Sequence, residues 1–333
     1  MTKKAMKIFK FNPYALGACA AIIILPSCTG SQMQIDPSAA TQSVAPQPNG
    51  ATGAHPDHHR SWMAPDAKNQ ALLYISDLNT YDVYVYAYPK GKLKGRLTGF
   101  SGPEGECVDK KGHVFIANFA ASNVLEYAHG GTSPVATLSD PGYYPVGCSV
   151  DPTTGNLAVA NYVSTGGKPG NVVIFKDAKG IPTAYADPLV NEMVFGGYDG
   201  AGNLFVDGST SGDAFVFDEL SSGGKSLETI SLNQSIGVPG GVQWDGTYVA
   251  VGDRAANVIY RFTITGTKGK EEGSVSLGDS SDVNQFWTDG SKVIGSDPGA
   301  ANARFWNYPA GGSPTKTISG LGDPVGVTIS PGT

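Results

Sequence analysis

From Leu72 onward the chain alternates apolar and polar residues in short runs. Examples are Val83-Tyr84-Val85-Tyr86-Ala87-Tyr88, Asn123-Val124-Leu125-Glu126-Tyr127 and Asn257-Val258-Ile259-Tyr260-Arg261-Phe262. A period of two predicts β-strands, and the Gly, Pro, Asn and Asp residues between the runs predict tight turns. No segment carries a helical period of 3.6. One short apolar strand ending in Asp or Asn returns along the chain: Leu72–Asp77, His113–Asn118, Asn156–Asn161, Asn203–Gly208, Tyr248–Asp253 and Lys292–Asp297. Its spacing, about 40 to 47 residues, suits four-stranded blades. The prediction is an all-β fold, a six-bladed β-propeller of four-stranded blades over residues 69–333.

Two of these units carry a fuller motif. Pro103-Glu104-Gly105-Glu106-Cys107-Val108-Asp109 leads into His113–Asn118, and Pro145-Val146-Gly147-Cys148-Ser149-Val150-Asp151 leads into Asn156–Asn161. These resemble the NHL-type repeat. The likeness weakens in the later units, where Val194-Phe195-Gly196 and Asn284-Gln285-Phe286 replace Pro-x-Gly. The shape is shared with lactonase-like and streptogramin-lyase-like propellers, so it speaks to fold rather than activity. The resemblance implies that the Pro-x-Gly strand is innermost and the strand ending in Asp or Asn is second. The repeat region then begins on a second strand at Leu72 and finishes on an innermost one, Val325–Ser330, which is expected to complete the first blade and close the ring.

The N-terminal pattern is different. Lys3, Lys4, Lys7 and Lys10 precede an apolar run from Ala15 to Leu25, too short for a membrane span. This reads as a signal peptide over residues 1–27. Leu25-Pro26-Ser27-Cys28 looks like the lipobox of bacterial lipoproteins, with Pro26 departing from the usual residue, and it makes Cys28 the lipidation site. Residues 28–68 are rich in Ser, Pro, Gln and Ala and read as a disordered tether. Trp62 and Met63, near the end of this segment, are expected to pack on the ring. The expected location is the bacterial cell envelope, with palmitate-type acylation as the only membrane contact. Removing residues 1–27 takes away four lysines and no acid, moving the formal charge from −6 to −10. Such an acidic chain is not built for nucleic acid.

Cys107 and Cys148 fall on innermost strands of neighbouring blades, one residue out of step when the Pro-x-Gly motifs are aligned. They either face each other across the interface and bridge, as an oxidising compartment favours, or point apart as buried thiols. His55-Pro56-Asp57-His58-His59 reads as solvated linker. His113 and His129 should lie away from the loop face, so that face lacks the general acid of the streptogramin lyases.

In NHL-like propellers one face carries the loops entering the innermost strands and leaving the second strands. The resemblance places Glu104, Tyr144, Glu192, Asn284 and Gln285 there from the first set. Asp77, Asn118, Asn161, Asp207, Asp253 and Asp297 come from the second. Tyr143 and Trp287, nearer loops or the axis, could also line a binding surface. In lactonase-like propellers a divalent metal sits at this mouth, which makes Glu104 and Glu192 the candidate ligands for Ca²⁺ or another divalent cation. The competing reading is that the strand-end Asp and Asn residues cap their own turns. The functional expectation is a monomeric, non-catalytic binding protein for an envelope or extracellular protein or a small ligand. A metal-dependent hydrolase is the alternative.

Overall fold

The computed structural model describes residues 60–332. The signal segment, Cys28 and the His55–His59 cluster lie outside the described residues. Six sheets form the blades of a β-propeller, and the inner four strands of each follow one order from axis to rim. Blade 2 shows the plan, with Pro103–Val108 innermost, then Val114–Asn118, Asn123–Tyr127 and Pro134–Ser139. The innermost strands of blades 3 to 6 are Tyr143–Val150, Glu192–Tyr198, Pro239–Trp244 and Phe286–Thr288.

Blade 1 joins the two ends of the repeat region. Pro324–Ser330 is its innermost strand, pairing antiparallel with Leu72–Asp77 so that Leu72 faces Ser330 and Ile75 faces Val327. A ring closed this way leaves no open seam of unpaired backbone. On its outer edge the blade gains a fifth strand, Trp62–Met63, paired with Arg96 and Gly95. The packed ring therefore reaches upstream of the boundary expected at residue 69, because the outermost strand Lys92–Leu97 presents an edge that Trp62 and Met63 cover.

Every residue of Leu72–Asp77 is buried. Alternate side chains explain this, since a strand inside a propeller has a neighbouring blade on each side. Leu72 and Tyr74 pack with Val114, Ile116 and Tyr127 of blade 2. Leu73 and Ile75 pack with Ile294, Phe305 and Ile318 of blade 6. The core is thus a set of interfaces between blades, filled by the aromatic-rich second and third strands.

The innermost strands turn one edge to the axis, where backbone groups need partners. Side chains from neighbouring blades supply them. Ser149 Oγ accepts from Tyr198 N at 3.0 Å, and Gln243 Oε1 accepts from Thr288 N at 2.8 Å. Gln285 reaches further. Its Oε1 accepts from Glu106 N (3.0 Å) and Val327 N (2.8 Å), and its Nε2 donates to Glu106 O (2.8 Å). One amide thereby ties blades 6, 1 and 2 together at the axis.

Candidate functional site

The ring has two mouths of different chemistry. The entry face carries the loops that enter the innermost strands and leave the second strands. Three strand-end carboxylates there are buried and consumed by the loops. Asp77 accepts from the backbone N–H groups of Asn79, Thr80, Gly322 and Asp323. Asp253 accepts from Gly237, Val238, Ala255 and Ala256. Asp297 accepts from Ser281, Asp282 and Ala300, and Arg304 Nη1 donates to it at 2.9 Å. Each carboxylate pins both its own turn and the loop that enters the adjoining innermost strand. Asp77, Asp253 and Asp297, candidates for the binding face, are thus engaged by loop amides.

Asn284 and Gln285 are engaged in a similar way. Both are buried. Blade 6 has a short innermost strand, so these residues turn inward ahead of it. Asn284 Nδ2 donates to Val325 O at 2.9 Å, while Gln285 spans the axis. Asp207 does not belong with the strand-end set either. In the six-residue frame it holds the fifth place, where the other blades have Ser76, Ala117, Ala160, Gly252 and Ser296, and Gly208 holds the sixth. A Cβ on Gly208 would collide with the Glu192 carbonyl oxygen. Shifted by one residue, Asp207 points to the opposite face of its strand. Its Oδ1 accepts from Phe195 N at 2.7 Å and its Oδ2 has no partner among the described residues. Burial raises its pKa well above the carboxylate range, with the Phe195 N–H opposing.

Glu104 and Glu192 do stand at the entry mouth, both half-buried. Burial pushes Glu104 up to about 8, with the negative charge of Asp323 adding to the rise and Arg254 opposing it. Arg254 is itself clamped by Asp282 through Nε–Oδ1 (2.7 Å) and Nη2–Oδ2 (2.8 Å). Glu192 has other partners. Ser209 Oγ donates to its Oε2 at 3.1 Å, and the Tyr162 phenol bonds to it; burial first, then this carboxylate, holds the Tyr162 pKa above its ordinary value. Among the described residues no group of three or more His, Cys, Asp or Glu side chains converges in a way that could hold a metal ion.

Around this mouth the entry face exposes apolar and aromatic side chains. Leu189 is 60 % exposed, Val238 41 % and Tyr81 57 %. Tyr144, the remaining candidate, stacks on Phe119 with ring centroids 4.5 Å apart and planes 9° from parallel, bridging the blade 2 turn to the blade 3 entry strand.

The opposite mouth holds a cavity of about 210 Å³. Its wall includes Ser149, Tyr198, Gln243, Trp244 and Trp287, with Cys107 and Cys148 alongside and Gln285 above. The two cysteines are bridged, with their Cα atoms 5.6 Å apart. The disulfide joins the innermost strands of blades 2 and 3. No ionisable side chain lines the cavity apart from Tyr198. Sequence reasoning assigned no ligand to this mouth. Trp244 pairs with Val249 and Trp287 with Ile294, so the two indoles stand one residue out of step in the shared blade frame.

Glu106 is a second buried acid that sequence reasoning passed over. It is fully inaccessible, its Oε1 accepts from Ser76 Oγ at 2.6 Å, and Oε2 has no partner among the described residues. Burial pushes it up to about 8, with the Ser76 bond opposing. On the face away from the acidic mouth, His113 Nδ1 contacts Glu126 Oε1 at 2.5 Å. His129 lies between Ser330 Oγ (2.6 Å) and Gln70 O (3.1 Å), bound into the closure of blade 1.

No family model matches the sequence, and no curated protein matches it. Solved structures do match in shape. A chain from the crystal structure of a nidogen/laminin complex superposes with a TM-score of 0.65 at 12 % identity, covering 78 % of this chain and 98 % of that one. A protein of unknown function from Bacteroides caccae gives a TM-score of 0.57 at 11 % identity, covering 79 % and 99 %. At such identities the likeness speaks to the fold alone.

Proposed function

We propose that this chain is a non-catalytic binding protein of the bacterial cell envelope, an NHL-like propeller that contacts a partner protein through its entry face. The observation that carries the reading is the exposure of Leu189, Val238 and Tyr81 on loops that are themselves held rigid. Leu189 N donates to Asp187 Oδ1 at 2.7 Å, and Val238 N to Asp253 Oδ1 at 3.3 Å. Apolar side chains on pinned loops lose little entropy on docking, which suits a preorganised interaction surface. The similar propeller in the nidogen/laminin complex comes from a protein–protein assembly, consistent with that use of the scaffold.

The sequence supports the anchoring. A basic stretch, a short apolar run and Leu25-Pro26-Ser27-Cys28 favour export and lipidation at Cys28, with residues beyond it as a tether. The ring acts as a monomer in this reading. Its partner presents an apolar surface to Leu189, Val238 and Tyr81.

The test is capture from envelope extract with the wild-type chain and a Leu189→Asp/Val238→Asp variant that keeps its melting transition. A species held by the wild type and lost by the variant is expected. Equal capture by both would remove the entry face from the proposal.

A further inference from the structure

The cavity at the opposite mouth is unused by the entry-face reading, and its chemistry is specific enough to name a ligand class. We infer that it binds a single neutral saccharide ring, stacked against Trp244 and Trp287 and held through its hydroxyl oxygens by Gln243 and Ser149.

Size sets the first limit. A cavity of about 210 Å³ lies below the ~300–1,000 Å³ typical of drug-sized ligands, so the occupant is about one six-membered ring. Charge sets the second. The wall carries no carboxylate, ammonium, guanidinium or imidazole, although the mature chain is strongly acidic. A charged ligand would be desolvated there with no counter-charge, which is costly.

The direction of the hydrogen bonds sets the third limit. Gln243 Oε1 is committed to Thr288 N at 2.8 Å, which fixes the amide and leaves its NH₂ without a described partner. Ser149 Oγ is committed as acceptor to Tyr198 N at 3.0 Å, which leaves its O–H to donate. Both groups therefore offer donors, suited to hydroxyl, ring or carbonyl oxygens and unsuited to an ammonium group. Two half-buried indoles on neighbouring blades supply the apolar, polarisable surface that the C–H face of a sugar ring needs. An organic cation would also favour the indoles, but it would meet the two donors and no carboxylate.

The pocket is preorganised. The Cys107–Cys148 bridge and the Gln285 amide, anchored to Glu106 and Val327, fix its inner end. It is independent of Leu189 and Val238, so the two proposals stand or fall separately.

The experiment uses the full chain and follows tryptophan fluorescence and ligand-observed NMR during titration with D-glucose, D-galactose, D-mannose and N-acetyl-D-glucosamine, with choline as the cationic comparison. Saturable binding of at least one neutral sugar in the millimolar range or tighter is expected. Affinity should fall about tenfold or more in Trp287→Phe and in Gln243→Glu. Gln243→Glu keeps the acceptor for Thr288 N–H while replacing the free donor, and the melting transition of each variant is compared with the wild type so that lost affinity is read only from a folded chain. Three results would each overturn the inference: no saturable binding of any of the four sugars up to about 50 mM, preference for choline, or wild-type affinity in Gln243→Glu.

Discussion

Replacing Glu106 by glutamine should make the ring more stable in alkali while changing little in acid. Glu106 is fully buried, one oxygen bonded to Ser76 and the other unpartnered among the described residues. Its folded pKa stands near 8, against 4.5 in the unfolded chain. Because the folded value is raised, the native state holds a proton that the unfolded state has released between these limits, and stability falls as pH rises. The contribution is fully present below about pH 4.5 and is lost as pH rises through 8. A span of about 3.5 pH units at about 1.4 kcal/mol each sets an upper scale of about 5 kcal/mol. The Glu106→Gln side chain cannot ionise, so the variant lacks this slope, and its advantage over the wild type should grow by several kcal/mol from pH 5 to pH 9. Urea unfolding of both proteins at pH 5, 7 and 9 reads it directly. Glu104 adds a slope of the same sign to both proteins and cancels in the difference. A gap between the two curves that stays constant with pH would refute the reasoning, because it would mean that Glu106 ionises in the fold without cost.

Two further outcomes follow from the same structure and a third from the sequence. The Cys107–Cys148 bridge spans 41 residues, so the Cys107→Ser/Cys148→Ser variant should lose about 4 kcal/mol in urea unfolding without reductant, and the wild type with reductant should approach it. Asp253→Ala strips the acceptor from four loop N–H groups and should cost about 3 kcal/mol or more by thermal or urea unfolding, with Asp253→Asn costing less. Cys28→Ala should shift the protein from the membrane to the soluble fraction and abolish palmitate labelling; unchanged fractionation would count against lipidation at Cys28.

Blade number, strand order and ring closure were legible because each rests on a repeated local pattern. The strand ending in Asp or Asn recurs, and the unmatched innermost strand Val325–Ser330 had one vacant place beside Leu72–Asp77. The turn-capping reading of Asp77, Asp253 and Asp297 was also available, since a carboxylate at a strand end sits within reach of turn amides. The site was less legible, for physical reasons particular to each residue. Asp207 looks like a strand-end acid until Gly208 is recognised as the true sixth position, forced to glycine by the Glu192 carbonyl. Gln285 serves backbone groups of blades 1 and 2 that lie far away in sequence. Whether Cys107 meets Cys148 depends on how two blades sit against each other, which a one-residue offset in an alignment leaves open. The neutral cavity comes from strand ends of several blades, and no local motif marks it.

The most direct test of the entry-face account is site-specific photo-crosslinking in cells. The crosslinker is placed at Leu189 and Val238 on the entry face, and at Ile181, which is 95 % exposed on the opposite side, as a control. A discrete adduct of the same partner protein from positions 189 and 238, and none from 181, is expected. An adduct from 181 alone, or no adduct from 189 and 238, would contradict it.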